Sequence, residues 1–124
     1  MASEGPTRVE DVMSTPLETI APEESVAAAA KLMVEHDIAA LVVTASRHGI
    51  VTSTDIIEAV AADADLTELT VEDIMTENVE TVTPDLYMEE VAAMLTTYDI
   101  KHLPVVDDDF VGMISSSDVT AHLS

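Results

Sequence analysis

Cysteine and tryptophan are both absent from these 124 residues. Without cysteine there can be no disulfide, no thiolate nucleophile and no Cys-based metal site. Basic residues are scarce: Arg8, Lys31, Arg47 and Lys101 stand against 25 acidic side chains, a formal net charge of −21. Nucleic acid is excluded as a partner, because binding it relies on Lys and Arg to displace counterions from phosphate. An anionic membrane surface would repel the chain for the same reason. No apolar run approaches the roughly 20 residues that span a bilayer. The N-terminal Met-Ala-Ser-Glu-Gly-Pro has neither the basic nor the apolar region of a signal peptide, so the expected location is the cytoplasm. Only three glycines are present and no Gly-x-x-x-x-Gly-Lys-Ser/Thr run occurs, which excludes P-loop nucleotide hydrolysis. Aromatics are limited to Tyr87, Tyr98 and Phe110. Few aromatics, two lysines and many scattered acids suggest a halophile-like chain adapted to molar salt. At about 1 M salt the Debye length is roughly 3 Å, and self-repulsion between exposed carboxylates is screened.

What is present is order. Apolar residues make up 48% of the chain and are patterned, so the high charge does not signal disorder. The pattern is written twice. Val9-Glu10-Asp11-Val12-Met13 recurs as Val71-Glu72-Asp73-Ile74-Met75, an offset of 62, and Glu18-Thr19-Ile20-Ala21-Pro22 recurs as Glu80-Thr81-Val82-Thr83-Pro84. After one inserted residue, Gly49-Ile50-Val51-Thr52-Ser53-Thr54-Asp55 matches Gly112-Met113-Ile114-Ser115-Ser116-Ser117-Asp118 at an offset of 63. A tandem duplication therefore divides the chain into 1–62 and 63–124, with 63–69 as linker. Copies this short are near the lower limit for an independent core, so the two are expected to share an interface and form one domain.

Each copy reads as β-α-β-β-α behind a short leading helix. Thr7 and Thr70 are candidate N-caps for helices over 8–13 and 71–75, with Glu10 and Asp73 at the third position. Residues 17–21 and 79–83 alternate as strands do. Helices follow over about 25–36 and 87–98, with Val26, Ala29, Ala30 and Met33, then Met88, Val91, Ala92 and Leu95, on one face. Strands Ala40–Thr44 and Leu103–Val106 turn through 45–48 or 107–109 into Ile50–Thr52 or Val111–Ser115. Last helices run from Ser53 to Ala62 and from Ser116 to Leu123. The fold class is α/β (α+β), with small sheets covered by helices.

Gly-x-x-Thr/Ser-x-x-Asp falls at a strand-to-helix junction in both copies. Exposed N–H groups and the helix dipole favour an anion there. The hydroxyl of Thr52 or Ser115 can donate to a phosphate or ribose oxygen, and Asp55 or Asp118 can accept from a ribose diol. The same spacing fits a helix cap, and the two roles are compatible. Lys101 and His102 break the apolar pattern before Leu103-Pro104-Val105-Val106, where copy one has Ala39 and Ala40. A basic pair in one copy only suggests one site more tolerant of phosphate, or simply a surface Lys and a polar His. His36, His48, His102 and His122 show no metal spacing. Asp107–Asp109 sits where a hairpin must turn and reads as a solvated loop. No acid–base pair, nucleophile or metal cluster emerges, so enzymatic activity is not expected and no catalytic cofactor is implied.

Leu103-Pro104-Val105-Val106-Asp107 followed by Gly112-Met113-Ile114-Ser115-x-x-Asp118 resembles a CBS domain, named for cystathionine β-synthase. Copy one is similar through Leu41-Val42-Val43 and Gly49-Ile50-Val51-Thr52-x-x-Asp55, without the Pro and Asp. The tandem resembles a CBS pair, or Bateman module, over about residues 8–123, leaving no room for a second domain. The resemblance implies two βαββα units about a pseudo-twofold axis with two clefts between them. Such clefts take AMP, ADP, ATP or S-adenosylmethionine. It implies that Thr52 with Asp55, and Ser115 with Asp118, contact phosphate and ribose. Lys101 and His102 would reach phosphates, and Leu17, Val79, Ile50 and Met113 would flank adenine. It implies homodimers paired through helices. Two functions follow: a regulatory module that binds an adenosine-containing ligand and is read by a regulated protein, or a ligand-free dimerising adaptor.

Overall fold

The computed structural model describes residues 7–15, 17–45, 48–77 and 79–123, without the side chain of Leu123. These fall into two compact units: Glu18–Val79, and the described residues of 1–17 together with those of 80–124.

In the unit Glu18–Val79 the elements are β1 (Thr19–Ile20), α1 (Val26–His36), β2 (Ala40–Val43), β3 (Gly49–Thr52), α2 (Ser53–Ala61), α3 (Val71–Ile74) and β4 (Thr76–Glu77). The sheet order is β1-β2-β3-β4. β1 runs parallel to β2, while β2–β3 and β3–β4 are antiparallel. Ala40 lies opposite Thr52, and Ile50 opposite both Val42 and Thr76. α1 starts where Ser25 Oγ accepts from the Ala28 N–H at 3.1 Å, and the alanine run 27–30 sustains it. It ends where Asp37 turns left-handed, φ 54°, and the Ile38 N–H returns to the Met33 carbonyl at 3.0 Å. Val26, Ala29 and Met33 pack on Leu41, Val43, Val51, Ile56 and Val71. Ala40, Val42 and Ile50, on the opposite sheet face, are buried as well.

The other unit holds a 3-10 turn (Val9–Asp11), α4 (Met88–Tyr98), β5 (His102–Asp107), β6 (Asp109–Ser115) and α5 (Ser116–Leu123). β5 and β6 form an antiparallel hairpin with a bulge between Val105 and Val106. Single bridges complete the pattern of the first unit: Val82 runs parallel to Val105, and Ser14 antiparallel to Met113. Val9, Val82, Met88, Val91, Leu95, Leu103, Val105, Ile114 and Val119 form the core.

The mixed α+β class is as expected, with several corrections in detail. The strands read at 17–21 and 79–83 shrink to Thr19–Ile20 and a bridge at Val82. The leading helix read over 8–13 is only the turn Val9–Asp11, and its N-cap is Arg8, not Thr7. Because the turn starts at Val9, Asp11 rather than Glu10 reaches back, accepting from the Arg8 N–H at 3.0 Å. Asp73 does the same for Thr70, also at 3.0 Å. The acidic hairpin narrows to Asp108 alone, φ 67°, since Asp107 and Asp109 pair across it. In the 45–48 turn, Ser46 and Arg47 lie outside the described residues.

The compact units also divide the chain differently from the repeats 1–62 and 63–124. The segment carrying Val9–Ser14 packs with the second copy, and its duplicate at Val71–Thr76 packs with the first. Glycine explains the fit. A Cβ on Gly49 would lie 2.8 Å from Met75 Sδ and 2.9 Å from the Thr76 carbonyl oxygen. One on Gly112 would lie 2.9 Å from Met13 Sδ and 2.8 Å from the Ser14 carbonyl oxygen. Two of the three glycines therefore stand where a neighbouring segment's backbone comes too close for any side chain.

Candidate functional site

The duplicated motif ends β3 and β6 and begins α2 and α5. At the first junction the Thr52 N–H and hydroxyl both donate to Asp55 Oδ2, at 2.9 and 3.0 Å, and the Asp55 N–H donates to Thr52 Oγ1 at 3.3 Å. At the second, the Ser115 N–H and hydroxyl donate to Asp118 Oδ2 at 2.9 and 3.0 Å, and the Asp118 N–H donates to Ser115 Oγ at 3.2 Å. These are reciprocal capping boxes, so the cap reading of the spacing holds in both copies. All four side residues are half-buried. The bonds converge on Oδ2, and Oδ1 takes no part in the cap.

The loop before each strand pair is tied to the same junction. The Ser53 N–H donates to the Ala39 carbonyl at 2.9 Å, and the Ser116 N–H to the Lys101 carbonyl at 2.8 Å. His102 opens β5 directly opposite Ser115, as Ala40 lies opposite Thr52. Lys101, His102, Ser115 and Asp118 are thus brought to one junction by backbone register. Lys101 is exposed and His102 half-buried. Burial pushes the His102 imidazole below its ordinary pKa, the Asp118 carboxylate pulls it back up, and Lys101 presses it down. Met113 neighbours this group on β6, half-buried and bridged to Ser14. Ile50 holds the corresponding place on β3 and is buried. Leu17 and Val79 are half-buried in irregular chain, Leu17 in the unit of Ser115 and Val79 in that of Thr52.

One feature of this region escaped the sequence. Along α2, Asp55 and Glu58 line an open groove of about 360 Å³ with Ala59, Ala62, Ala64, Leu69 and Ile74. The groove depends on the 64–74 segment folding back on α2, which no local pattern announces. Among the described residues no polar or charged side chain is buried, and no three metal-ligating side chains converge. His36 Nε2 lies 3.8 Å from Glu18 Oε1, a surface pair of an exposed and a half-buried side chain and of little consequence. No helix among the described residues is long and apolar enough to cross a membrane.

Comparison with known proteins agrees with the geometry. The family model described as CBS domain matches residues 9–62 and 71–124. Homoserine O-acetyltransferase of Methanohalobium evestigatum is 37% identical over 119 residues, 92% of this chain but 24% of that protein. The chain thus spans about a quarter of the enzymes among the curated relatives it matches, and 84% of the CBS domain-containing protein YhcV of Bacillus subtilis, which is 26% identical over 117 residues. A CBS domain pair crystallised with 5′-methylthioadenosine and S-adenosyl-L-methionine is 35% identical, with a TM-score of 0.86 over 96% of this chain and 97% of that one. The hexameric CBS-CP12 protein from bloom-forming cyanobacteria is 32% identical, with a TM-score of 0.90 over 96% of this chain and 73% of that one. Both copies are matched, and each carries the same capped junction: the chain belongs to the CBS domain family, as a tandem pair.

Proposed function

We propose that this CBS pair is a regulatory module that binds an adenosine-containing ligand, AMP, ADP, ATP or S-adenosylmethionine, and signals through a conformational or dimer change to a regulated protein. The observation that carries the reading is the junction of Lys101, His102, Ser115 and Asp118, in a chain similar to a pair crystallised with two adenosine ligands. Ser115 and Asp118 supply a hydroxyl and a carboxylate for ribose and phosphate, Lys101 and His102 the donors for an anion, and Thr52 with Asp55 the equivalent groups in copy one. Leu17, Val79, Ile50 and Met113 are the apolar positions for adenine. Binding shifts an equilibrium only as far as its affinities for the two states differ. The module itself catalyses nothing and works in the cytoplasm. The acidic surface suits molar salt, where screening lets an anionic nucleotide approach.

Dimerisation is part of the proposal. Val34 on α1 is 82% exposed, and Ile57 and Val60 on α2 are 66% and 55% exposed, an apolar helix surface suited to a second copy. The same surface favours the second reading, a ligand-free dimerising adaptor in which Asp55 and Asp118 serve only as caps. Calorimetry at about 1 M salt with AMP, ATP and S-adenosylmethionine separates the two readings. Binding by the wild type, weakened in Asp118→Ala, supports the first. Absence of binding to all three, with a dimer in sedimentation, leaves the adaptor.

A further inference from the structure

The groove along α2 lies wholly within the unit Glu18–Val79. Asp55 and Glu58 stand one turn apart on the helix face that lines it, with Ala59 and Ala62 beside them. In α5 the places of Glu58 and Ala59 are taken by Ala121 and His122, so neither the second carboxylate nor the small neighbour is a requirement of the repeated fold. The far wall is Leu69 and Ile74, on chain that is firmly held. Asp63 turns left-handed, φ 62°, and the Ala64 N–H returns to the Ala59 carbonyl at 3.1 Å. The Val26 N–H donates to the Leu69 carbonyl and the Val71 N–H to the Glu24 carbonyl, both at 2.9 Å. Ala59, Ala62 and Ala64 contribute only methyl groups to the lining, which leaves the groove open. Between 55 and 74 the chain carries seven acidic residues and no Lys, Arg or His.

Resting on the reading above only in that a regulated protein meets this module, we propose that the α2 groove is where that protein docks, through a segment carrying an arginine flanked by aliphatic residues. Charge complementarity selects the occupant. An acidic segment would meet Asp55 and Glu58 with no cation among the lining residues. An uncharged aliphatic segment would cover the apolar wall but take water from two unpaired carboxylates. An arginine meets both conditions: its methylene stem lies along Leu69 and Ile74 while its guanidinium stays with the carboxylates at the rim. Asp55 is already oriented for this, because Thr52 donates only to Oδ2 and Oδ1 keeps its acceptor capacity. The preformed wall leaves little of the groove to be ordered on docking.

The experiment is an NMR titration of the backbone amides of the full chain at about 1 M salt, where a Debye length of roughly 3 Å removes general attraction to the acidic surface. The probes are the capped peptide Ala-Leu-Arg-Leu-Ala and its counterparts with norleucine or glutamate in place of arginine. The arginine peptide should move the amides of Glu58, Ala59, Ala62, Leu69 and Ile74 saturably, and the other two should bind about fivefold more weakly or not at all. Glu58→Gln should weaken the arginine peptide about fivefold. Glu58→Lys should reverse the order in favour of the glutamate peptide. Ala62→Leu, which fills the groove, should abolish binding. Calorimetry with AMP and S-adenosylmethionine should be unmoved by all of these variants, so that loss of docking leaves the ligand reading standing, and failure of the ligands leaves docking standing. Equal binding of the arginine and norleucine peptides, shifts scattered over the acidic surface, or an affinity unmoved by Glu58→Gln and Ala62→Leu overturns the proposal. So do shifts at the same amides when the chain alone is concentrated, which would make a second copy the occupant. Unchanged melting temperatures identify the variants that remain folded.

Discussion

Gly112→Ala tests the account of how each unit is closed. The added methyl would lie 2.8 Å from the Ser14 carbonyl oxygen, 2.9 Å from Met13 Sδ and 3.2 Å from Met13 Cγ. The thioether can swing aside. The carbonyl cannot, because it accepts the Met113 N–H at 3.1 Å while the Ser14 N–H donates to the Met113 carbonyl at 2.8 Å. Relief therefore requires that the Ser14 segment lift from β6. Two lost backbone hydrogen bonds at about 1 kcal/mol each, with roughly 1 kcal/mol of lost Met13 burial, give about 3 kcal/mol. In a chain of this size that lowers Tm by about 10 °C. Thermal unfolding followed by circular dichroism gives the total. Hydrogen exchange gives the place: the Ser14 and Met113 amides should exchange faster while those of α4 keep their protection. The companion variant Gly112→Ala with Met13→Ala should recover little, since the carbonyl remains. A loss below about 0.5 kcal/mol with unchanged exchange, or full recovery in the double variant, would refute the backbone-contact argument.

Asp99→Asn should raise stability by about 0.5 kcal/mol in urea unfolding, because Asp99 places a carboxylate at the C-terminus of α4 in a left-handed conformation, φ 54°, that Asn tolerates equally. Leu103→Ala, fully buried, should cost about 2–5 kcal/mol, and a cost below 1 would mean the core of that unit is not packed as described. His102 binds its proton less readily folded than unfolded, so stability should start to fall as pH drops through the ordinary value of 6.5. Subtracting the melting curve of His102→Gln isolates this term, and a difference flat from pH 8 to about 5 contradicts it. Asp65, Asp73 and Asp85 are held below their ordinary 3.8 by bonds from Thr67, Thr70 and Thr83. Their stabilisation is present above that value and lost below it, so Thr70→Val should shallow the acid limb.

Where the sequence was legible, local chemistry repeated. The small and apolar faces of α1 and α4 were readable because helical spacing occurs twice with different residues, and both caps because Thr52-x-x-Asp55 and Ser115-x-x-Asp118 are short-range motifs. The end of α1 at Asp37 and of α4 at Asp99 repeats without glycine, which hid a left-handed turn in an acidic side chain. What stayed hidden was non-local. Nothing near Met13 says that it will cover Gly112, or near Met75 that it will cover Gly49. The signal was nevertheless present across the repeat, in two methionines and two glycines kept at matching positions. The strands before α1 and α4 were overread because alternation continues past the point where pairing stops: Ile20 and Val82 face the cores, while Thr19 and Thr81 stay exposed.

A hydroxyl and a carboxylate engaged in a cap are not thereby withdrawn from a ligand. A carboxylate has about four lone-pair directions, and the cap uses Oδ2 of Asp118 for both of its bonds. Oδ1 keeps its acceptor capacity, and the cap holds it in one orientation before any ligand arrives, so that ordering cost falls on folding rather than binding. Cap and site then become separable by chemistry. Asp118→Ala removes both and should cost about 1 kcal/mol of stability as well as affinity. Asp118→Asn keeps one carbonyl oxygen for the Ser115 N–H but turns the second acceptor into a donor. It should preserve most of the cap and still lose the ribose contact. If Asp118→Asn binds adenosine compounds as tightly as the wild type, the carboxylate is a cap alone, and the duplicated motif records the demands of folding a helix onto a strand rather than those of a ligand.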